Sequence, residues 1–162
     1  MQRASLHSPR VRRLTVADLT DIVALQEAVT ARLPAGFILS KSECGLRTYL
    51  DGTRGIAYGI VEGAALVAMS LLRIPNESHP NHGLPFPLVP EEDWPLSACF
   101  LENGMVLSGA RGRGYQRALL DVRLTHATSA KMRWICGGVR LQNSVSWTNL
   151  LAWRMAIAGI RF

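Results

Sequence analysis

Apolar side chains recur along this chain with two periods, and the switches between them mark out the elements. Val11 to Thr15 reads as a short strand. Polar Asp18, Thr20 and Asp21 then precede Ile22, Leu25, Gln26 and Val29, a spacing that lays one face of a helix on a core, and Leu33-Pro34-Ala35-Gly36 ends it. Ser40 or Ser42 caps a second short helix through Leu46, Tyr49 and Leu50, stopped by Asp51-Gly52. Residues 55–62 and 64–74 are apolar runs of strand length, and Glu62-Gly63 between them predicts a tight hairpin. Six prolines from Pro75 to Pro95 make that stretch a long irregular loop, the kind that often covers a site. Ala98 to Leu107 is a further strand, and residues 115, 118, 119, 122 and 124 give an apolar face to a helix over Tyr115–Ser129. Trp134 to Val139 is the last strand, and a helix from Ser144 to Ala158 is expected to stop at Gly159. The order β-α-α-β-β-β-α-β-α is that of an α/β domain with a mixed sheet.

The 162 residues are enough for one domain, expected over residues 11–162 behind a flexible arm at 1–10. An apolar share of 48% supplies a core without disulfides or a structural metal. No run of apolar residues is long enough to span a membrane. Met1 to Arg13 carries basic residues with no apolar run behind them, unlike a secretory signal. Cys44, Cys99 and Cys136 are scattered and odd in number, so buried or free thiols and a reducing cytoplasm are expected rather than a disulfide framework or zinc site.

Charge is unevenly spread, and this changes the picture more than the net +6 does. Residues 1–107 carry nine Arg/Lys against eleven Asp/Glu, whereas residues 108–162 carry nine against Asp121 alone. A polyanionic ligand on the C-terminal half follows. Nucleic acid is the weaker candidate, because no single element carries interleaved aromatic and basic residues.

Between the strand ending at Leu107 and the helix starting at Tyr115 lies Arg111-Gly112-Arg113-Gly114. A helix start exposes unpaired N–H groups and the positive end of its dipole, which together bind phosphate. Glycines let the backbone approach the anion, and the arginines add charge-assisted hydrogen bonds. The Gly-Lys-Ser/Thr ending of a P-loop is absent, and Arg117 stands where a dinucleotide fingerprint would have its third glycine.

In these segments the chain resembles the GCN5-related N-acetyltransferases (GNATs). Residues 12–25 are similar to that family's opening strand and helix, 58–72 to its second and third strands, and 106–120 to its cofactor motif Q/R-x-x-G-x-G/A, with Arg111 and Gly114 at the first two fixed positions. Residues 139–162 are similar to its closing motif, through Asn143 and Gly159-Ile160. The resemblance implies a largely antiparallel central sheet flanked by helices and acetyl-CoA as co-substrate. It places the pyrophosphate on Arg111, Gly112, Arg113, Gly114, Tyr115 and Gln116, and the pantetheine arm along Met105, Val106 and Leu107, with Asn143 helping to hold it. The acceptor would be a primary amine of a small molecule or peptide. Gln116 replaces the motif's final small residue. The sequence stops at Phe162, ahead of the family's final strands, so the expectation is either a sequence truncated there or a sheet completed by another chain such as a second copy.

Acyl transfer to an amine needs a base. Glu102, on the strand leading into the loop, is the candidate, with Phe100 and Leu101 expected to provide apolar surroundings. No general acid is assigned, because the last helix lacks a tyrosine. Trp147 and Trp153 are expected in the core, and His126 in solvent. His79 and His82 lack a third ligand for a metal. Glu91-Glu92-Asp93 is read as a solvated acidic turn, with attraction of a cationic acceptor as the alternative. A non-catalytic acyl-CoA-binding module is the competing reading of the whole chain.

Overall fold

The computed structural model describes residues 9–34, 38, 40–82, 88–140 and 142–157. The arm expected at 1–10 and the stop expected at Gly159 therefore lie largely or wholly outside the described residues. Five strands form one sheet in the order β1-β2-β3-β4-β5: β1 Val11–Arg13, β2 Gly55–Glu62, β3 Ala65–Arg73, β4 Ala98–Val106 and β5 Trp134–Gly137. The first four pair antiparallel with their sequence neighbours, and β5 runs parallel to β4. Glu62 pairs with Ala65 across a two-residue turn in which Gly63 takes a left-handed φ of 59°.

Helices cover both faces. Helices α1 (Leu19–Thr30) and α2 (Glu43–Leu50) pack on one, where Leu14, Ile22, Leu46, Met69, Leu71 and Met105 are almost fully buried. Helix α4 (Tyr115–Ser129) covers the other through Leu119 and Leu120. Burial on both faces explains why β2 and β3 read as continuous apolar runs. Ser42 is the cap of α2, accepting a hydrogen bond from the Gly45 amide at 3.2 Å. Thr15 and Asp18 close a capping box ahead of α1, and Arg12 grips the same carboxylate at 2.5 Å.

The proline-rich segment, as far as it is described, is irregular until a single turn, α3 (Trp94–Ser97). Buried Asn81 anchors it by donating to the carbonyls of Trp94 and Ala98, both at 2.7 Å. Asp93 is not part of a solvated turn: it is buried, accepting from Arg133 at 2.7 Å and from the Trp134 indole at 2.8 Å.

The last helix, α5, spans Ser144–Ala152 rather than reaching Ala158. It ends where Arg154 turns left-handed (φ 61°), with the amides of Arg154 and Met155 returning to the carbonyls of Leu151 and Leu150. None of its residues is buried, and Trp147 and Trp153 are exposed, each at 37%, rather than core residues. Among the described residues no strand lies beyond β5 to cover them. His126 also departs from expectation. It is half-buried, with Nδ1 2.8 Å from the Tyr58 hydroxyl, and burial pushes its pKa down.

Candidate functional site

Strand β4 leads through a 3-10 turn at Ser108–Ala110 into the 111–114 loop and then α4. Gly112 (φ 77°) and Gly114 (φ 78°) are both left-handed, and a Cβ on either would meet nothing within 4 Å. The loop therefore presents bare backbone to open space. Gly114 caps α4 with no side chain of its own, which leaves the first helical amides, at Tyr115, Gln116 and Arg117, without intrahelical acceptors. Arg111 is exposed at the loop. Arg32 reaches in from the end of α1 to the Ser108 hydroxyl at 2.8 Å.

Arg113 turns the other way. Its guanidinium spans the Glu62 carboxylate at 2.8 and 2.9 Å and donates to the Gly109 carbonyl at 3.2 Å, tying the loop to the end of β2. The Tyr115 hydroxyl donates to the same carboxylate. Tyr115 and Arg113 together hold Glu62 below the usual carboxylate range. Gln116 and Asn143, far apart in sequence, converge on Ser146: the Gln116 amide donates to its hydroxyl at 3.4 Å, and the Asn143 oxygen accepts from its N–H at 3.2 Å. The starts of α4 and α5 are thereby joined.

The edge of β4 opens beside this loop. Strands β4 and β5 pair only from Ala98 to Leu101, while β4 continues to Val106, so its later residues have no β5 partner. Met105 is buried under α1, Val106 packs towards α4, and the Leu107 amide bonds back to Val67 at 2.9 Å. Midway, Asn103 and Gly104 together oppose Ser70, a bulge in which Asn103 takes φ 43°. Arg123, from α4, lies buried against the bulge without a carboxylate partner among the described residues. It donates to the carbonyls of Leu119, Leu71 and Glu102, and desolvation lowers its pKa to about 10.

Glu102 precedes the bulge and faces α2. One carboxylate oxygen accepts from the Tyr49 hydroxyl at 2.8 Å and lies 2.7 Å from Lys41 Nζ. Of the two apolar neighbours expected, strand alternation sends Leu101 to the α4 face, and Phe100, on the Glu102 side, packs edge-on to Trp94 at 5.3 Å. Burial and the neighbouring carboxylate push the Tyr49 hydroxyl well above its ordinary range, so it stays a donor.

No family model and no curated protein matches the sequence, but solved structures match the fold. The aminoglycoside N-acetyltransferase AAC(6')-Iy, in complex with the bisubstrate analogue CoA-S-monomethyl-acetylneamine, matches with a TM-score of 0.71 at 14% identity, over 96% of each chain. An N-acetyltransferase from Staphylococcus aureus Mu50 gives 0.70 at 15%, over 94% of this chain and 86% of its own. The ribosomal-protein-alanine N-acetyltransferase from Brucella melitensis biovar Abortus 2308 gives 0.65 at 19%, over 96% of this chain and 100% of its own. The fold is that of the GNAT acetyltransferases.

Within this GNAT fold one surface cleft lies apart from Glu102. It measures about 530 Å³ and lies between α4, β5 and the end of α5, lined by Asp121, Leu124, Trp153 and Met155 among others. Asp121 is the one charged group in its lining, and the Thr128 and Ser129 hydroxyls turn back to carbonyls of α4, so it makes a poor active site and the β4 edge with its charged groups is the better one. Among the described residues no three His, Cys, Asp or Glu side chains gather to hold a metal, and no helix is long and apolar enough to cross a membrane. The three cysteines are free thiols, with Cys99 buried and pushed up to about 12. Lys41, Tyr49 and Arg123 escaped sequence reasoning. Tyr49 looked like one more core position, and nothing local marks a lysine or arginine whose partner lies in a distant element.

Proposed function

We propose that the protein is an acetyl-CoA-dependent N-acetyltransferase acting on a primary amine. The observation that carries this reading is the pairing of an open, left-handed glycine loop at the start of α4 with the unpaired β4 edge that runs into it. The backbone at Gly112 and Gly114, with the amides of Tyr115 and Gln116 and the charge of Arg111, suits a pyrophosphate. Arg113, bound to Glu62, shapes the loop. Met105, Val106 and Leu107 offer backbone beside which a pantetheine arm can lie, and Asn143 borders the same opening through Ser146. Acetyl-CoA supplies the activated acyl group.

Glu102 takes the proton of the acceptor's ammonium, directly or through a water. The neutral amine then attacks the thioester carbonyl carbon, the C–S bond breaks, and the amine's second proton leaves with the CoA thiol. Tyr49 fixes the carboxylate by donating to it, and buried Arg123 braces the backbone carbonyl of Glu102. One structural neighbour is bound to a bisubstrate analogue of CoA and acetylneamine and another is a ribosomal-protein-alanine N-acetyltransferase, which supports a small-molecule or peptide amine as the acceptor.

Calorimetry with acetyl-CoA, followed by thiol release with an amine panel, tests the reading. Binding with turnover is expected, and Glu102→Gln should lower kcat by roughly a hundredfold or more, within the span of general-base contributions. Binding without turnover by any amine would leave an acyl-CoA-binding module. Failure to bind any CoA thioester would remove both.

A further inference from the structure

Lys41 is held at both ends. Buried Gln26 clamps its backbone, with the side-chain amide donating to the Lys41 carbonyl at 2.9 Å and accepting from its N–H at 3.0 Å. At the other end Nζ lies 2.7 Å from Glu102 Oε2 and 5.2 Å from the centre of the Tyr49 ring. An ammonium thus sits on the carboxylate assigned above as the base, in the place an acceptor amine would occupy. The chain has only two lysines, Lys41 and Lys131, against sixteen arginines. An arginine would make the same ion pair, yet its guanidinium is not an acylation target. The side chain chosen here is the only cationic one that carries a primary amine.

We propose that Lys41 is an internal acceptor, acetylated on Nζ by acetyl-CoA bound to the same molecule. This rests on the N-acetyltransferase reading. Glu102 takes one proton from the Lys41 ammonium, and the freed amine attacks the thioester carbonyl carbon. The C–S bond breaks as the amide forms, and the second nitrogen-bound proton ends on the CoA sulfur. The product is neutral, so its ion pair with Glu102 is lost and the carboxylate becomes available to an external amine. Modification is limited to one acetyl group and opens the acceptor site.

The test uses the whole protein, acetyl-CoA and peptide mass spectrometry. Trypsin cuts after free Lys41 but not after its acetylated form, so the modified peptide runs from Leu33 to Arg47 and carries one acetyl group. Lys131, exposed after α4, is the internal control. Lys41 should label at least about tenfold faster than Lys131, as intramolecular placement dictates, with a rate independent of protein concentration. Lys41→Arg should abolish the label while keeping the thermal midpoint. In the absence of acetyl-CoA, Lys41 should resist reductive methylation relative to Lys131, and Glu102→Gln should remove that protection. Equal labelling of both lysines, a rate proportional to protein concentration, or no protection in the unliganded protein would overturn the proposal. If an added amine is turned over while Lys41 stays unmodified, self-acetylation alone fails. If acetyl-CoA does not bind, the N-acetyltransferase reading fails with it.

Discussion

Replacing Gly114 by alanine separates the loop's two duties, keeping its own shape and receiving an anion. The residue has φ 78° and ψ 8°, where an L side chain costs about 1–2 kcal/mol. A Cβ there meets nothing within 4 Å, so steric collision adds nothing to that backbone cost. For a chain of this size each kcal/mol lowers Tm by roughly 2–4 °C, and Gly114→Ala should therefore lose about 2–8 °C. Binding should suffer separately. If the loop relaxes out of the left-handed region, at least one amide turns away from the pyrophosphate. A hydrogen bond to a charged group is worth about 1.5–3 kcal/mol, so the Kd for CoA should rise roughly ten- to hundredfold. Gly109→Ala is the control: its φ is not left-handed and its surroundings are equally open, so both quantities should stay put. Calorimetric titration with CoA, beside a thermal melt of each variant, reads both effects. A Gly114→Ala protein that melts early but binds CoA within about twofold of the parent would refute the placement of the pyrophosphate.

Three further outcomes follow from particular contacts. The hydrogen bond from Arg12 holds Asp18 at about 2 instead of 3.8, equivalent to about 2 kcal/mol at full strength and nearer 1 kcal/mol given that Arg12 is 45% exposed. Because this carboxyl is depressed in the folded state, its stabilisation is complete above pH 4 and disappears as pH falls towards 2. The gap between parent and Asp18→Asn in denaturant melts should close over that window, and a gap unchanged at pH 2 would contradict it. Leu119 is 1% exposed beneath the loop, and Leu119→Ala should cost about 2–5 kcal/mol in urea unfolding with little change in slope. Tyr49→Phe removes the hydroxyl on Glu102, and should lower kcat more than it raises KM for the acceptor; the opposite split would make Tyr49 part of the acceptor's binding surface instead.

Much of this architecture is legible from periodicity. The bounds of α4, the β2–β3 hairpin and the Ser42 cap all follow from signals a few residues wide. The strand–loop–helix setting of Arg111–Gly114 follows in the same way. What escaped is what depends on partners far along the chain. Asp93 belongs to an acidic run, and only the approach of Arg133 and Trp134 makes it a buried anchor. Trp147 of α5 and Trp153 just after it have the composition of a core, yet both are exposed, with no strand beyond β5 among the described residues. Glu102 could be singled out by its strand, but Lys41 and Tyr49 arrive from α2 and its approach. No rule of spacing connects them to β4.

The bulge at Asn103 and Gly104 sets the phase of β4. In a regular strand, residues three apart point to opposite sides, yet Glu102 and Met105 both face the α1 and α2 side. The additional residue makes up the missing half-period. Removing either Asn103 or Gly104 would restore a regular ladder and, by the same step, turn Glu102 away from Lys41 and Tyr49. A one-codon deletion that turned this stretch of β4 over would move Cys99 and Leu101 out of the α4 core as well, and would disconnect the carboxylate from its surroundings more thoroughly than most point substitutions. Length in this stretch of β4 is therefore constrained independently of residue identity, and that constraint should be the more durable of the two as sequences with this architecture diverge.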